Sequence, residues 1–351
     1  MLGPMSGRVA LLTPFAPPSV RGNAVTVARV ARGLRARGVE LRVWDLSVTP
    51  EAAVEAEVEA YRPALVHAFH AWRAGPLALR LARRAELPLV VTLTGTDANL
   101  DLFDPERAPA VRRVLESAAR LTVFHASIAE RVAGALPDLR ARIVVVPQAV
   151  SLARGERFDL SARWPLPPER VLFVFPAGLR EVKRPRLPLG PLDLVVARRP
   201  EIRLLYAGPI LDPDAGDALL RALAARPWAR HVGAVPHAQM ASLLAQADVV
   251  LNCSRSEGGM ANSILESLAL GRAVLASDVE GNRSLVEDGV TGLLFRDEAE
   301  LAANAERLAA DPALRARLGA AGRVLVLARY PEAREIDGYL DVYRRLVPVT
   351  A

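Results

Sequence analysis

Two glutamates, Glu257 and Glu266, flank a turn of small residues in SRSEGGMANSILESLALG, residues 254–271. After the turn, Ile264, Leu265 and Leu268 share one apolar face and Gly271 offers a stop, so a short helix is predicted. The N–H groups of Gly258, Gly259, Met260, Ala261 and Asn262 would gather around the positive end of that helix and suit an anion. Carboxylates repel phosphate, so beside such an anion they would take sugar or ribose hydroxyls. A second reading stands next to this one. Ser263-Ile-Leu-Glu266 fits the capping-box pattern, in which Glu266 would bond only backbone.

Two cations complement this stretch. Of the 45 Lys and Arg residues, Lys183 alone is lysine, and it stands three residues after Arg180 in PAGLREVKRP. A compact ammonium and a planar guanidinium just beyond a strand end suit a diphosphate, and a solvated surface pair is the alternative. In the first half, Gly22, Asn23 and Thr26 open a helix after the first strand, where glycine lets backbone N–H groups approach an anion or a sugar hydroxyl. TLTGTDANLD places Thr96 and Asp97 after the fourth strand. There Asp97 either accepts from a substrate hydroxyl or caps the next turn. His67 and His70 in LVHAFHAW lie at a strand end, and His67 reads as a core histidine. Asp212-Pro-Asp214 reads as a loop that caps a helix, so no metal site is expected.

Positioning such groups requires strand ends. Apolar strands alternate with helical patterns from RVALLTPF (8–15) to RIVVVPQAV (142–150), and again from VLFVFPAG (171–178) to GLLF (292–295). Strands this apolar, each followed by a helix, predict parallel sheets covered on both faces: an α/β chain of two doubly wound domains. Residues 151–170 are polar and proline-containing, without a steady period, and read as a linker. The expected domains are 1–160, 161–330 and a C-terminal helix over 331–351 that packs back toward the first. Two such domains in series put a central cleft between them, with ligands at the carboxyl ends of the strands.

The bulk properties exclude several classes. With one cysteine, Cys253, neither an intrachain disulfide nor a cysteine-rich metal site is available. No secretory signal is visible, and no run approaches the roughly 18 apolar residues of a membrane span, so a cytoplasmic protein is expected. The net charge of +6 is small and dispersed, which argues against nucleic acid. Residues 1–150 hold 19 Arg against 14 acids, a bias compatible with an anionic acceptor, with weak peripheral membrane contact, or with a solvated surface. Neither domain's first strand is followed by Gly-x-Gly-x-x-Gly, which argues against a nicotinamide-dependent dehydrogenase.

Taken together, LNCSRSEGGMANSILESLALGRAVLASDVEGNRSLVEDGVTGLLF, the PAGLREVK segment and the glycine turn after the first strand resemble the family-4 glycosyltransferases, over essentially the whole chain. The resemblance implies the GT-B fold of two Rossmann-like domains. It also implies retaining transfer from a nucleoside-diphosphate sugar, with no cofactor and no metal. By that resemblance Glu257 contacts the donor sugar, Glu266 holds the ribose, and Arg180 and Lys183 hold the diphosphate. Acceptor-side residues would be Gly22, Asn23, Thr26, Thr96 and Asp97. The chain departs from the family twice. Glu266 stands nine residues after Glu257, one more than the usual spacing. The loop after the fourth strand reads TGTD where many members carry a histidine. RGNAVT, TGTD and SRSEGG also look like a subgroup that includes selenosugar synthases and single-chain glycosyltransferase-1-domain proteins. A selenosugar or thiosugar synthase using an anionic inorganic nucleophile is therefore an alternative, as is an inactive nucleotide-sugar-binding module. The acceptor and the oligomeric state are not legible.

Overall fold

The computed structural model describes residues 7–150, 152, 155–257 and 259–347. The chain forms two compact units, Met1–Ala149 with Glu332–Ala351, and Val150–Pro331.

In the first unit, strands β1 (Val9–Thr13), β2 (Leu41–Asp45), β3 (Leu65–Phe69), β4 (Leu89–Leu93), β5 (Arg120–Val123) and β6 (Ile143–Val145) alternate with helices α1 (Gly22–Ala36), α2 (Glu51–Tyr61), α3 (Gly75–Arg84), α4 (Ala108–Ser117) and α5 (Ala126–Ala135). All six strands are parallel, in the order β2-β1-β3-β4-β5-β6. Every residue of β1, β3 and β4 is buried, as a parallel sheet covered on both faces requires. The strand order reverses between β1 and β3, which makes their carboxyl ends the switch point of this sheet.

The second unit runs α6 (Leu160–Arg163), β7 (Val171–Pro176), α7 (Leu189–Val196), β8 (Ile202–Ala207), α8 (Pro213–Leu223), β9 (Ala229–His231), α9 (His237–Leu244), β10 (Val249–Asn252), α10 (Asn262–Ala269), β11 (Ala273–Ser277), α11 (Glu280–Arg283), β12 (Leu293–Phe295), α12 (Glu298–Ala310) and α13 (Pro312–Arg329). Its strands are again all parallel, in the order β12-β11-β10-β7-β8-β9. This is the dinucleotide-binding order, with its switch point between β7 and β10.

A last helix, α14 (Glu332–Arg344), belongs to the first unit and lies against α1. Ile336, Tyr339, Leu340 and Tyr343 join the core on that face of the sheet. The helices approach so closely at Gly33 that a Cβ there would meet Ile336 Cδ1 at 2.4 Å. A buried bidentate pair fixes the register, with Arg29 Nε and Nη2 donating to Glu335 at 2.7 and 2.9 Å.

Two expectations need correction. The first boundary, expected at 160/161, falls at 149/150, because Phe158, Leu160 and Trp164 from the polar stretch are buried in the second unit's core with Leu172 and Val174. The strand expected over 231–236 is β9, which ends at His231, because Gly233 turns to φ 79° and breaks the extended run. No helix among the described residues is long and apolar enough to cross a membrane.

Candidate active site

At the switch point of the second unit two of the predicted donor residues, Lys183 and Glu257, meet. After β7 the chain makes a 3-10 turn, Glu181–Lys183, immediately preceded by Arg180 in extended conformation. After β10 it passes Cys253 and Ser254 to Glu257. The two loops are laced together. Arg255 N–H donates to Val182 O at 2.8 Å, and Arg184 donates from Nε to Cys253 O at 2.7 Å and from Nη2 to Ser254 O at 3.3 Å. Arg184 reaches both carbonyls from a left-handed conformation, φ 48°.

This lacing brings Lys183 Nζ onto Glu257 Oε1. The same oxygen accepts from Ser254 Oγ at 2.5 Å and from Asn252 Nδ2 at 3.0 Å. The pair is nearly enclosed, with the Lys183 side chain 15% exposed and that of Glu257 10%. Burial alone would raise the Glu257 carboxyl. The Lys183 charge and the hydrogen bonds from Lys183, Ser254 and Asn252 outweigh it and hold the group below the usual carboxylate range. Glu257 is therefore an anion at neutral pH, with acceptor oxygens and no hydrogen to donate.

The loop beyond Glu257 is pressed onto α11. At Gly281 a Cβ would meet Glu257 Cβ at 2.5 Å and Gly259 O at 2.6 Å, so only glycine lets the loop lie here. The adjacent Asn282 is fully buried and donates from Nδ2 to Ser277 O at 2.9 Å and to Asn252 Oδ1 at 3.3 Å. The ends of β10 and β11 thus share one polar network under the site.

Gly258 lies outside the described residues. Gly259, Met260 and Ala261 are buried, so Met260 and Ala261 can offer a ligand only backbone. Helix α10 begins at Asn262 with Ala261 at its N-cap, which has no side-chain oxygen to close the helix start. That removes the capping-box alternative. Ser263 sits inside the helix, its carbonyl accepting from Ser267 Oγ at 2.5 Å, and Glu266 reaches sideways to His237 Nε2 at 2.9 Å.

The expected acceptor-side residues belong to the first unit. Gly22 opens α1, and Asn23 Nδ2 donates to Thr13 Oγ1 at 3.3 Å, while Asn23 Oδ1 is buried without a partner. Thr26 is buried, its hydroxyl accepting from Gln148 Nε2 at 2.7 Å. Asp97 is fully buried, and its oxygens accept N–H bonds from Thr94, Gly95 and Ala98 in its own loop and from Ala71. It holds the loop in shape rather than facing a ligand, because its lone pairs are already engaged. Thr96 is half-buried, with its hydroxyl 2.9 Å from His70 Nε2.

Sequence reasoning did not assign His70 a role. It follows β3, between β1 and β4, with φ at 90°, an uncommon conformation for a residue with a side chain. Arg73 N–H donates to its Nδ1 at 3.3 Å, so the neutral ring carries its proton on Nε2 and donates to Thr96. Its neighbour His67 is the core histidine expected. It is bonded to Tyr343 OH at 2.6 Å and Thr92 Oγ1 at 2.7 Å, and burial lowers its pKa to about 3. Asn252, Asn282, Gly281 and His237 were likewise passed over. An asparagine closing the apolar run DVVLN was the one signal that could have flagged the network. Asp212 caps α8 by accepting from Ala215 N–H at 3.2 Å. Cys253 is fully buried, and burial pushes its thiol up.

The chain is similar to known glycosyltransferases. Residues 8–149 match the model of the glycosyl transferase 4-like domain, and residues 170–311 match that of glycosyl transferases group 1. The chain is 26% identical over 326 residues to glycosyltransferase 1 domain-containing protein 1 of Xenopus tropicalis, covering 91% of this chain and 92% of that protein. It is 29% identical over 325 residues to a D-inositol 3-phosphate glycosyltransferase of Nocardiopsis dassonvillei, covering 85% and 75%. Its fold is that of Anabaena Alr3699/HepE, solved in complex with UDP and glucose, with a TM-score of 0.80 at 15% identity over 97% of this chain and 100% of that one. The chain belongs to the glycosyltransferases of GT-B fold that join a glycosyl transferase 4-like domain to a group 1 domain.

Proposed function

We propose that this glycosyltransferase takes its sugar from a nucleoside diphosphate, with Arg180, Lys183 and the start of α10 on the diphosphate, Glu257 on the sugar hydroxyls and Glu266 on the ribose. The observation that carries the reading is the Lys183–Glu257 pair at the switch point of a dinucleotide-type sheet, a few residues ahead of the start of α10. As the bond from the anomeric carbon to the diphosphate oxygen breaks, negative charge gathers on the leaving group. Cations and helix N–H groups already in place stabilise that charge without reorganising. These groups supply the positive charge, and on this reading no metal is required. Retention of the anomeric configuration follows from the family-4 resemblance. UDP-glucose is the first donor to try, because HepE was solved with UDP and glucose.

A hydroxyl is the ordinary acceptor. An anionic inorganic nucleophile is the second reading, favoured by two arginines beside the acceptor-side residues: Arg21 lies 4.1 Å and Arg73 5.7 Å from the centre of the Phe15 ring. Incubation with UDP-, GDP- and ADP-sugars, with glucoside-type hydroxyl acceptors or with selenophosphate, tests both. Release of the nucleoside diphosphate together with a new glycosidic product whose anomeric proton coupling matches the donor is expected, and chelator should leave the rate unchanged. Binding without turnover on any acceptor would indicate a nucleotide-sugar-binding module.

A further inference from the structure

Glu266 needs a defined direction if it is to meet a ribose, and its own side chain does not supply one. The terminal torsion of a glutamate is broad, so a carboxylate on a helix face points to many places unless a second bond fixes it. Here that bond comes from His237. The ring belongs to the first residue of α9, directly after Pro236, and its Nε2 stands 2.9 Å from Glu266 Oε1 on the neighbouring helix. Glu266 is 7% exposed, and the His237 side chain is 34% exposed. The histidine is therefore the solvent-side partner of a nearly enclosed carboxylate.

The position of His237 is itself built. The stretch ahead of β7 lies along α9, where a Cβ at Gly155 would meet Ala238 O at 2.0 Å. Gln239 Nε2 donates to Glu156 Oε2 at 2.9 Å, and Phe158 N–H donates to Ser242 Oγ at 3.0 Å. Polar residues that read as a linker thus hold α9 at the place from which its first side chain reaches Glu266.

We propose that His237 is a positioning residue for nucleotide binding: its Nε2–H fixes Glu266 Oε1 and turns Oε2 toward the ribose hydroxyls. This rests on the reading of Glu266 as the ribose acceptor. The carboxylate is pre-ordered before the ligand arrives, so binding does not have to freeze it. Loss of that ordering corresponds to about a three- to tenfold weaker complex.

Dissociation constants for UDP, GDP and ADP, measured by titration calorimetry on the full chain, test the proposal. With whichever nucleotide binds the parent best, Glu266→Ala should weaken binding. His237→Ala should weaken it about three- to tenfold, as should His237→Asn, whose amide is too short to reach Glu266. His237→Gln, which returns a donor near the Nε2 position, should stay within about twofold of the parent. In the Glu266→Ala background, His237→Ala should add no further loss. A merely structural role for His237 would cost affinity equally in both backgrounds and would not be rescued by glutamine. Either of those results overturns the proposal while leaving Glu266 as the ribose contact. If Glu266→Ala changes nothing, or no nucleotide binds the parent, the ribose reading falls and this proposal falls with it.

Discussion

Replacing Lys183 with methionine removes one charge at nearly constant volume and leaves Glu257 as an enclosed anion. The two heads are 15% and 10% exposed, so solvent screens them little. Two unit charges about 4 Å apart attract by about 4 kcal/mol at an effective dielectric of 20. Removing one partner of a buried pair costs about 3–5 kcal/mol. Ser254 and Asn252 still donate to Glu257 Oε1 in the variant, and the carboxylate keeps a little solvent, so a loss of about 2–4 kcal/mol is expected. Glu257→Gln leaves the ammonium in the same position and should cost a similar amount. The double variant should lose less than the sum of the two by about 1.5–3 kcal/mol. Urea unfolding of the four proteins at pH 7, followed by circular dichroism, measures this coupling. The pair also sets a pH signature. The Glu257 carboxyl titrates below its unfolded value of about 4.3. Its contribution is therefore complete above that pH and is lost as pH falls through the folded value. The parent should lose this increment in acid, and Lys183→Met should not. Single costs under about 0.5 kcal/mol, or costs that simply add, would refute the claim that the pair is a coupled, enclosed unit.

Glu257→Gln should keep or improve affinity for the free nucleoside diphosphate, because Lys183 is released from its partner, while glycosyl transfer falls by about two orders of magnitude or more, read as product formed under saturating donor. Gly281→Ala places a methyl group 2.5 Å from Glu257 Cβ and should push the loop off α11, costing about 1–3 kcal/mol and raising the donor KM. Glu335→Ala removes the bidentate partner of the buried Arg29 and should cost about 3–5 kcal/mol, seen as a lowered melting temperature and earlier proteolysis after α13. His67 has a folded pKa of about 3 against about 6.5 unfolded, so the first unit should lose up to about 1.4 kcal/mol per pH unit as pH falls below 6.5. His67→Gln should flatten that slope in urea titrations at pH 4–7.

The alternation of apolar strands and helical patterns was legible because strands buried on both faces must be apolar throughout, as β1, β3 and β4 are. The loops that carry the site were readable where residue type alone is unusual: a single lysine among arginines, and acids beside a glycine turn. What resisted reading depends on three-dimensional neighbours. Nothing local to His237 points to Glu266, which comes 29 residues later and from a different helix. The fate of Asp97 turned on four backbone N–H groups that a loop conformation aims at it, and both readings of the loop contained the same residue types. The stretch 151–170 was polar on average, and averages hide three large anchors, Phe158, Leu160 and Trp164, that seat it on the second core. Ser263-x-x-Glu266 matched a capping box in spacing, yet the helix starts two residues earlier, which moves the cap to Ala261.

The central claim is that the β7–β10 switch point of the second unit is a nucleoside-diphosphate-sugar site. Titration calorimetry of the full chain with UDP-glucose, and with GDP- and ADP-sugars in parallel, tests it most directly when repeated on Lys183→Met and Glu266→Ala. Saturable one-to-one binding of at least one donor is expected, weakened about tenfold or more by each substitution, with the far-ultraviolet circular dichroism spectrum unchanged. No binding by any donor, or binding that both substitutions leave untouched, would contradict it.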